Sequence, residues 1–112
     1  MTAEEIASAL ELQVLAGKEQ LSRDVTGGYA SDLLSCVMAG AAAGDVWVTL
    51  QAHPNVIAVA DLLDLACVVV TEGTQPDKET LERAEEKQIP VMLSNATTFA
   101  VVAHLAKLGV HA

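Results

Sequence analysis

Three short stretches collect the polar, uncharged side chains that could hold or transform a small molecule. They are "QAHPN" with Gln51, His53 and Asn55, "TEGT" with Thr71, Glu72 and Thr74, and "SNATT" with Ser94, Asn95, Thr97 and Thr98. Imidazole, amide and hydroxyl groups are the types that orient a ligand or carry a proton. His53 is the most attractive titratable group because it stands beside an expected helix start. No Ser or Cys occupies a recognisable nucleophile elbow, however, and no carboxylate is spaced to orient the ring. The residues therefore favour a ligand-contacting or structural histidine, and no catalytic residue is assigned. Each stretch also has an ordinary structural use, since Ser, Thr and Asn ahead of a helix are N-caps and Pro54 suits a first turn.

A fourth stretch, "RDVTGGYASD" over residues 23 to 32, raises the chemistry of phosphate. Its two glycines follow neither GxxxxGK[ST] nor GxGxxG, and Asp24 and Asp32 bracket them with charge that would repel an anion. The expectation is a structural turn formed by Asp24, Thr26, Gly27 and Gly28. The glycines there would permit a close approach or a positive φ, and ligand contact by Thr26, Gly27 and Gly28 is a second role.

Metal and redox chemistry find little support. His53, His104 and His111 have no ligand spacing around them. Cys36 and Cys67 lie far apart in apolar runs and read as buried free thiols; two such groups cannot supply the four thiolates that iron–sulfur clusters usually need. No cofactor and no metal are expected. Asp61 and Asp64, three residues apart on an expected helical face, read as solvation.

The elements that must position these groups follow from periodicity. Thr2 caps a short helix over 2 to 9, with Glu4 and Glu5 in its first turn. Strands are expected at 11 to 15, 45 to 50, 66 to 71 and 89 to 94; "ACVVVT" is nearly continuous in apolar residues, as suits a strand covered on both faces. Helical patterns occupy 33 to 44, 55 to 64, 77 to 88 and 97 to 108. The helix at 77 to 88 is charged over most of its surface and is expected to carry Lys78–Glu82 and Glu79–Arg83 pairs. The last one, "TTFAVVAHLAKL", is apolar on almost every side, which points to self-association. Strands alternating with helices predict an α/β, three-layer-like domain: a mostly parallel central sheet of about four to five strands, flanked by helices. In such a sheet the turns carrying Gln51, Thr71 and Ser94 share the carboxyl edge, where ligands bind.

The 112 residues are expected to form one domain over 1–112, with 52% hydrophobic but only 3% aromatic residues, so the core must be built from Val, Leu, Ile and Ala. Six basic against fifteen acidic residues give a formal charge of −9, which argues against nucleic acid and anionic membranes as partners. No apolar run is long enough to span a bilayer, and the first residues carry glutamates where a secretory signal would be positive, so a cytoplasmic location is expected.

"DVTGGYASDLLSCVMAG", with the following "GDVWVTLQAHPNVIAVADLLDLACVVVTEGTQPDKETLERAEEKQIPVM", resembles the DRTGG domain family over nearly the whole chain. The five-residue signature stands here as Asp24-Val25-Thr26-Gly27-Gly28. The family's second signature residue is Arg; this chain has Val25, with Arg23 two positions earlier and on the same side of an extended segment. The resemblance implies an α/β domain often found beside CBS domains in regulated pyrophosphatases, in phosphate acetyltransferases, or as a small protein encoded near iron-only hydrogenases. It also implies a fold similar to the N-terminal domain of HPr kinase/phosphorylase. The family's role looks regulatory or dimer-forming, and no enzymatic residue carries over.

The reading that results is a non-enzymatic, homodimeric regulatory or ligand-sensing domain, nucleotides being a ligand class to test. The alternative is an adaptor that docks on a hydrogenase or another redox enzyme through its acidic surface, and the third is a small enzyme using His53 with Asn55 or Ser94.

Overall fold

A computed structural model describes residues 1–112. Its elements in chain order are α1 (Ala3–Ala9), β1 (Gln13–Ala16), a 3-10 turn (Lys18–Gln20), β2 (Gly27–Ala30), α2 (Leu34–Gly40), β3 (Asp45–Thr49), α3 (Asn55–Leu62), β4 (Cys67–Val70), α4 (Lys78–Lys87), β5 (Val91–Leu93) and α5 (Thr98–Lys107). The five strands form one sheet in the order β1-β5-β4-β3-β2. β2, β3, β4 and β5 run parallel, and β1 adds at the far edge, antiparallel to β5.

Every residue of β3, β4 and β5 is buried, because helices cover both faces and a covered parallel strand needs no polar side. Alternate residues feed two cores. Trp47, Val68, Val70, Val91 and Leu93 pack with Val37 of α2, Val56, Ile57 and Ala60 of α3, and Ala84 of α4. Val46, Val48, Cys67, Val69 and Met92 pack with Ile6 of α1 and with Val101 and Leu105 of α5. The α/β three-layer architecture read from the sequence is the one observed.

Local caps account for several element ends. Thr2 Oγ1 accepts the Glu5 N–H at 3.1 Å while Glu5 Oε1 accepts the Thr2 N–H at 2.9 Å, a reciprocal capping box that starts α1. Thr97 Oγ1 accepts the Ala100 N–H and starts α5.

Several expectations are corrected. The glycine pair lies in β2, an edge strand, and neither Gly27 nor Gly28 has a positive φ, so the segment is extended rather than a turn. α2 stops at Gly40 because Ala41 turns extended (φ −78°, ψ 150°), and residues up to Gly44 form a connecting loop. Cys36 is exposed, because α2 buries only Val37. Asp61 and Asp64 do not share a helical face: α3 ends at Leu62, and Asp64 is left-handed with φ 57°. On α4 the Arg83–Glu79 pair forms at 3.0 Å and the Lys78–Glu82 pair does not.

Candidate functional site

The parallel strands bring the βα turns to one edge, as the strand order requires. After β2, Asp32 reaches across to the end of β3: its Oδ1 accepts from Thr49 Oγ1 at 2.9 Å and from the Leu50 N–H at 2.8 Å. Gln51 Nε2 donates to the Asp32 carbonyl at 3.0 Å, so the turns after β2 and β3 are one hydrogen-bonded unit. After β4, the hydroxyls of Thr71 and Thr98 lie 2.6 Å apart, and Glu72 Oε2 accepts the Thr98 N–H at 2.8 Å. Glu72 adopts φ 62°, an uncommon conformation for a side chain of its length, and is held in it by its own N–H donating to the Ala96 carbonyl. After β5, Ser94 Oγ accepts the Ala96 N–H at 3.1 Å.

Six expected site residues therefore do share an edge: Gln51, His53, Asn55, Thr71, Ser94 and Asn95. Thr71 and Ser94 are buried there, whereas His53, Asn55 and Asn95 are exposed at the rim. His53 Nδ1 accepts the Asn55 N–H at 3.1 Å and so caps its own helix turn. Two carboxylates, Asp32 and Glu72, complete this crown. Neither carboxylate belongs to the site expected from the sequence, where Glu72 is only part of the "TEGT" turn and Asp32 only brackets the glycines. Asp32 had a usable signal, since it occupies the first turn after a strand as Gln51 and Ser94 do. The signal is masked because the two glycines of β2 remove the alternation that marks a strand.

Thr26, Gly27 and Gly28 are not part of this crown. Gly27 pairs in register with Asp45, the first residue of β3, which puts the signature at the opposite, amino edge. There it shapes backbone packing. A Cβ on Gly27 would sit 2.6 Å from Asp45 Oδ1 and 3.0 Å from the His111 carbonyl, so only glycine allows the buried Asp45 carboxylate its place. Asp45 Oδ2 accepts the Ala42 N–H at 2.8 Å and thereby ties down the loop after α2. Thr26 donates its backbone N–H to the Gly44 carbonyl, and a Cβ at Gly44 would meet the Thr26 hydroxyl.

The flanking residues are structural as well. Val25 is buried beside Ile6 in the core under α1 and α5. Arg23 instead leaves that line and grips Asp64, with Nη1 to Oδ1 at 2.9 Å and Nη2 to the Asp64 carbonyl at 2.8 Å. Asp24 forms an antiparallel bridge with Thr2 and accepts from the Met1 amino group at 3.1 Å.

A model of the DRTGG domain matches residues 5–108, nearly the whole chain. The chain belongs to the DRTGG domain family. Among solved structures, it is similar to the CBS and DRTGG domains of the regulatory region of Clostridium perfringens pyrophosphatase, a crystal structure complexed with the activator diadenosine tetraphosphate. The match has a TM-score of 0.75 at 18% identity and covers 93% of this chain and 45% of that one. At that identity the likeness is one of fold, and this chain spans less than half the length of its neighbour. No curated protein matches it. DRTGG membership fits the amino-edge geometry: the Thr-Gly-Gly of the signature is what lets β2 lie against the start of β3 over a buried carboxylate.

Thiol chemistry has an unequal distribution in this DRTGG domain. Burial pushes the Cys67 thiol up to about 12, against a slight opposing pull from the Arg23 charge, so it stays protonated inside β4. No helix is long and apolar enough to cross a membrane.

Proposed function

We propose that this chain is a non-catalytic regulatory domain that senses a small ligand and works as a homodimer. The observation that carries the reading is the use made of the crown's side chains. Asp32, Thr49 and Gln51 tie one pair of turns together, and Thr71, Glu72 and Thr98 tie another. A ligand that bridged the two sets through the exposed rim of His53, Asn55 and Asn95 would couple four strands and three helix starts. Family membership supports the regulatory part, as does the place of the DRTGG domain in a pyrophosphatase regulatory region that binds diadenosine tetraphosphate.

Nucleotides are the ligand class to test, and the electrostatics restrict how one would sit. Asp32 and Glu72 stand at the crown, so a bare phosphate there meets like charge. The base and ribose are the parts suited to Gln51, Asn55, Ser94 and Asn95, with the phosphates directed outward or paired with a divalent cation. Thr26, Gly27 and Gly28 are assigned the packing role.

Thermal melting with a panel of nucleotides tests the sensing function. A ligand at about 100 times its Kd adds about 2.7 kcal/mol of stability and raises the melting temperature. Flat melting curves across the panel at millimolar ligand count against it.

Docking on a hydrogenase or another redox enzyme is the second reading. It is favoured by one observation: all fifteen acidic residues precede residue 87, and α4 presents Glu79, Glu82 and Glu86 to solvent. Charge-steered docking would weaken as salt rises, which binding of a nucleoside would not.

A further inference from the structure

β2 is an edge strand, and part of its outer side is covered by residues that follow α5. Gly109 (φ 93°) turns the backbone toward that side, and the Gly28 N–H donates to the His111 carbonyl at 3.0 Å. Val110 comes with it, its Cγ1 lying 3.2 Å from where a Cβ on Gly28 would stand. The rest of the edge is open. Ser31 donates its N–H to the Val48 carbonyl of β3 at 3.2 Å, so alternation turns the N–H and C=O of Ala30 the other way, beside those of Gly28 and away from β3. No strand lies beyond β2 in the sheet, and the His111 carbonyl is the only backbone group of residues 110–112 bonded to it. Edges of this kind are usually blunted by lysine, proline or a bulge, and Gly27-Gly28-Tyr29-Ala30 holds none of these.

Alongside the edge runs an apolar groove of about 350 Å³, walled by Gly28 and Ala30, by Val48 of β3, by Val102 and Ala106 of α5 and by Val110. Side chains of an added strand alternate between the two faces of the sheet, so every second one would enter this groove. A cavity of ~150 Å³ already accepts a benzene ring, so a valine or leucine side chain fits.

We propose that the outer edge of β2 is a strand-addition site for an extended peptide of alternating branched aliphatic residues flanked by Lys or Arg, and that residues 110–112 occupy the site when that peptide is absent. Three features commit it to this occupant. A row of backbone N–H and C=O groups along an edge is met by another extended backbone and not by a helix or a compact apolar surface. The seated tail is a sample of that chemistry, with a backbone carbonyl on the Gly28 N–H and an aliphatic side chain beside it. The formal charge of −9 draws a basic peptide and repels an acidic one. The site is separate from the crown, since residues 28–30 contribute none of its side chains.

Amide NMR on the full chain tests the proposal, with the synthetic peptide acetyl-KVTVTVK-amide as the probe. Saturable shifts are expected at the Gly28 and Ala30 amides, with the Val110 and His111 amides moving as the tail leaves. Two copies of the peptide, N-methylated on alternate amides in opposite phases, separate strand addition from plain apolar contact: the phase that faces β2 loses binding and the other keeps it. Val110→Ser weakens the seated tail and should tighten binding of the peptide by about threefold or more, because the tail competes for the edge. No shift at Gly28 and Ala30 with millimolar peptide, or equal binding by the two N-methylated copies, overturns the strand-addition site. Equal binding by the wild type and Val110→Ser overturns the competing role of the tail. If the two amides move with protein concentration and not with peptide, the edge pairs with a second copy and the peptide is overturned as its occupant.

Discussion

Gly27 and Asp45 lie opposite each other in register across β2 and β3, and the glycine has no side chain because the aspartate needs the space. Replacing Gly27 with Ala puts a methyl group within 2.6 Å of Oδ1, while Oδ2 is already bound to the Ala42 N–H. The carboxylate cannot swing away freely, and the His111 carbonyl closes the other side. Gly27→Ala is expected to destabilise by about 1–3 kcal/mol. Gly28→Ala meets nothing closer than the Val110 side chain at 3.2 Å and the Val46 side chain at 3.4 Å, and should cost less. Urea unfolding of both variants checks the order, and a double-mutant cycle of Gly27→Ala with Asp45→Ala should be non-additive, because removing the carboxylate relieves the clash.

The cysteines differ in reactivity. Native protein should show one fast-reacting thiol, Cys36, and unfolded protein two. The Cys67 thiol titrates near 12 when folded and near 9.0 when unfolded, so the unfolded chain loses its proton first. The stability this group contributes is present below pH 9 and is lost as pH rises from there toward 12. Cys67→Ala should flatten that alkaline decline in melting temperature, after allowing for its lower stability at neutral pH.

At the acid end, the backbone and hydroxyl bonds to Thr2 hold the Glu5 carboxyl below its ordinary value. A depressed folded value stabilises the fold above the unfolded value, and the effect disappears as pH falls through the folded one. The melting-temperature gap between wild type and Glu5→Gln should therefore be present at neutral pH and close as the pH falls through the carboxylate range.

Gln88 ends α4 in the left-handed conformation at φ 53°, and its Oε1 is buried with no hydrogen-bond partner. Glycine adopts that φ without strain and removes the orphaned oxygen. Gln88→Gly is expected to stabilise by about 0.5–1 kcal/mol despite losing the Nε2 bond to the Glu85 carbonyl, and equilibrium unfolding will read the sign.

Where chemistry and periodicity agreed, the sequence was transparent. The nearly continuous apolar run around Cys67–Val70 suits a strand covered on both faces and forms one, and α4 and α5 lie within a residue of their expected limits. Gly27–Ala30 was opaque because two glycines remove the alternation that marks a strand and imitate a turn. The same loss split the expected site: without β2, nothing in the sequence tells whether Thr26 lies at the amino or the carboxyl edge. Cys36 and Asp64 show a related limit, since both depend on where a helix stops, and α2 and α3 each end earlier than their apolar patterns do. The crown's polar residues were legible because each follows a strand, while the Asp32–Thr49 and Thr71–Thr98 contacts depend on strand order, which no local pattern encodes.

Calorimetric titration of diadenosine tetraphosphate, with and without magnesium, tests the sensing claim most directly. The expected result is saturable binding by the wild type that is weakened at least tenfold, about 1.4 kcal/mol, in a Gln51→Ala, Asn95→Ala variant and left unchanged by Leu62→Asp. No heat of binding at millimolar nucleotide, or equal binding by the wild type and the Gln51→Ala, Asn95→Ala variant, would contradict it.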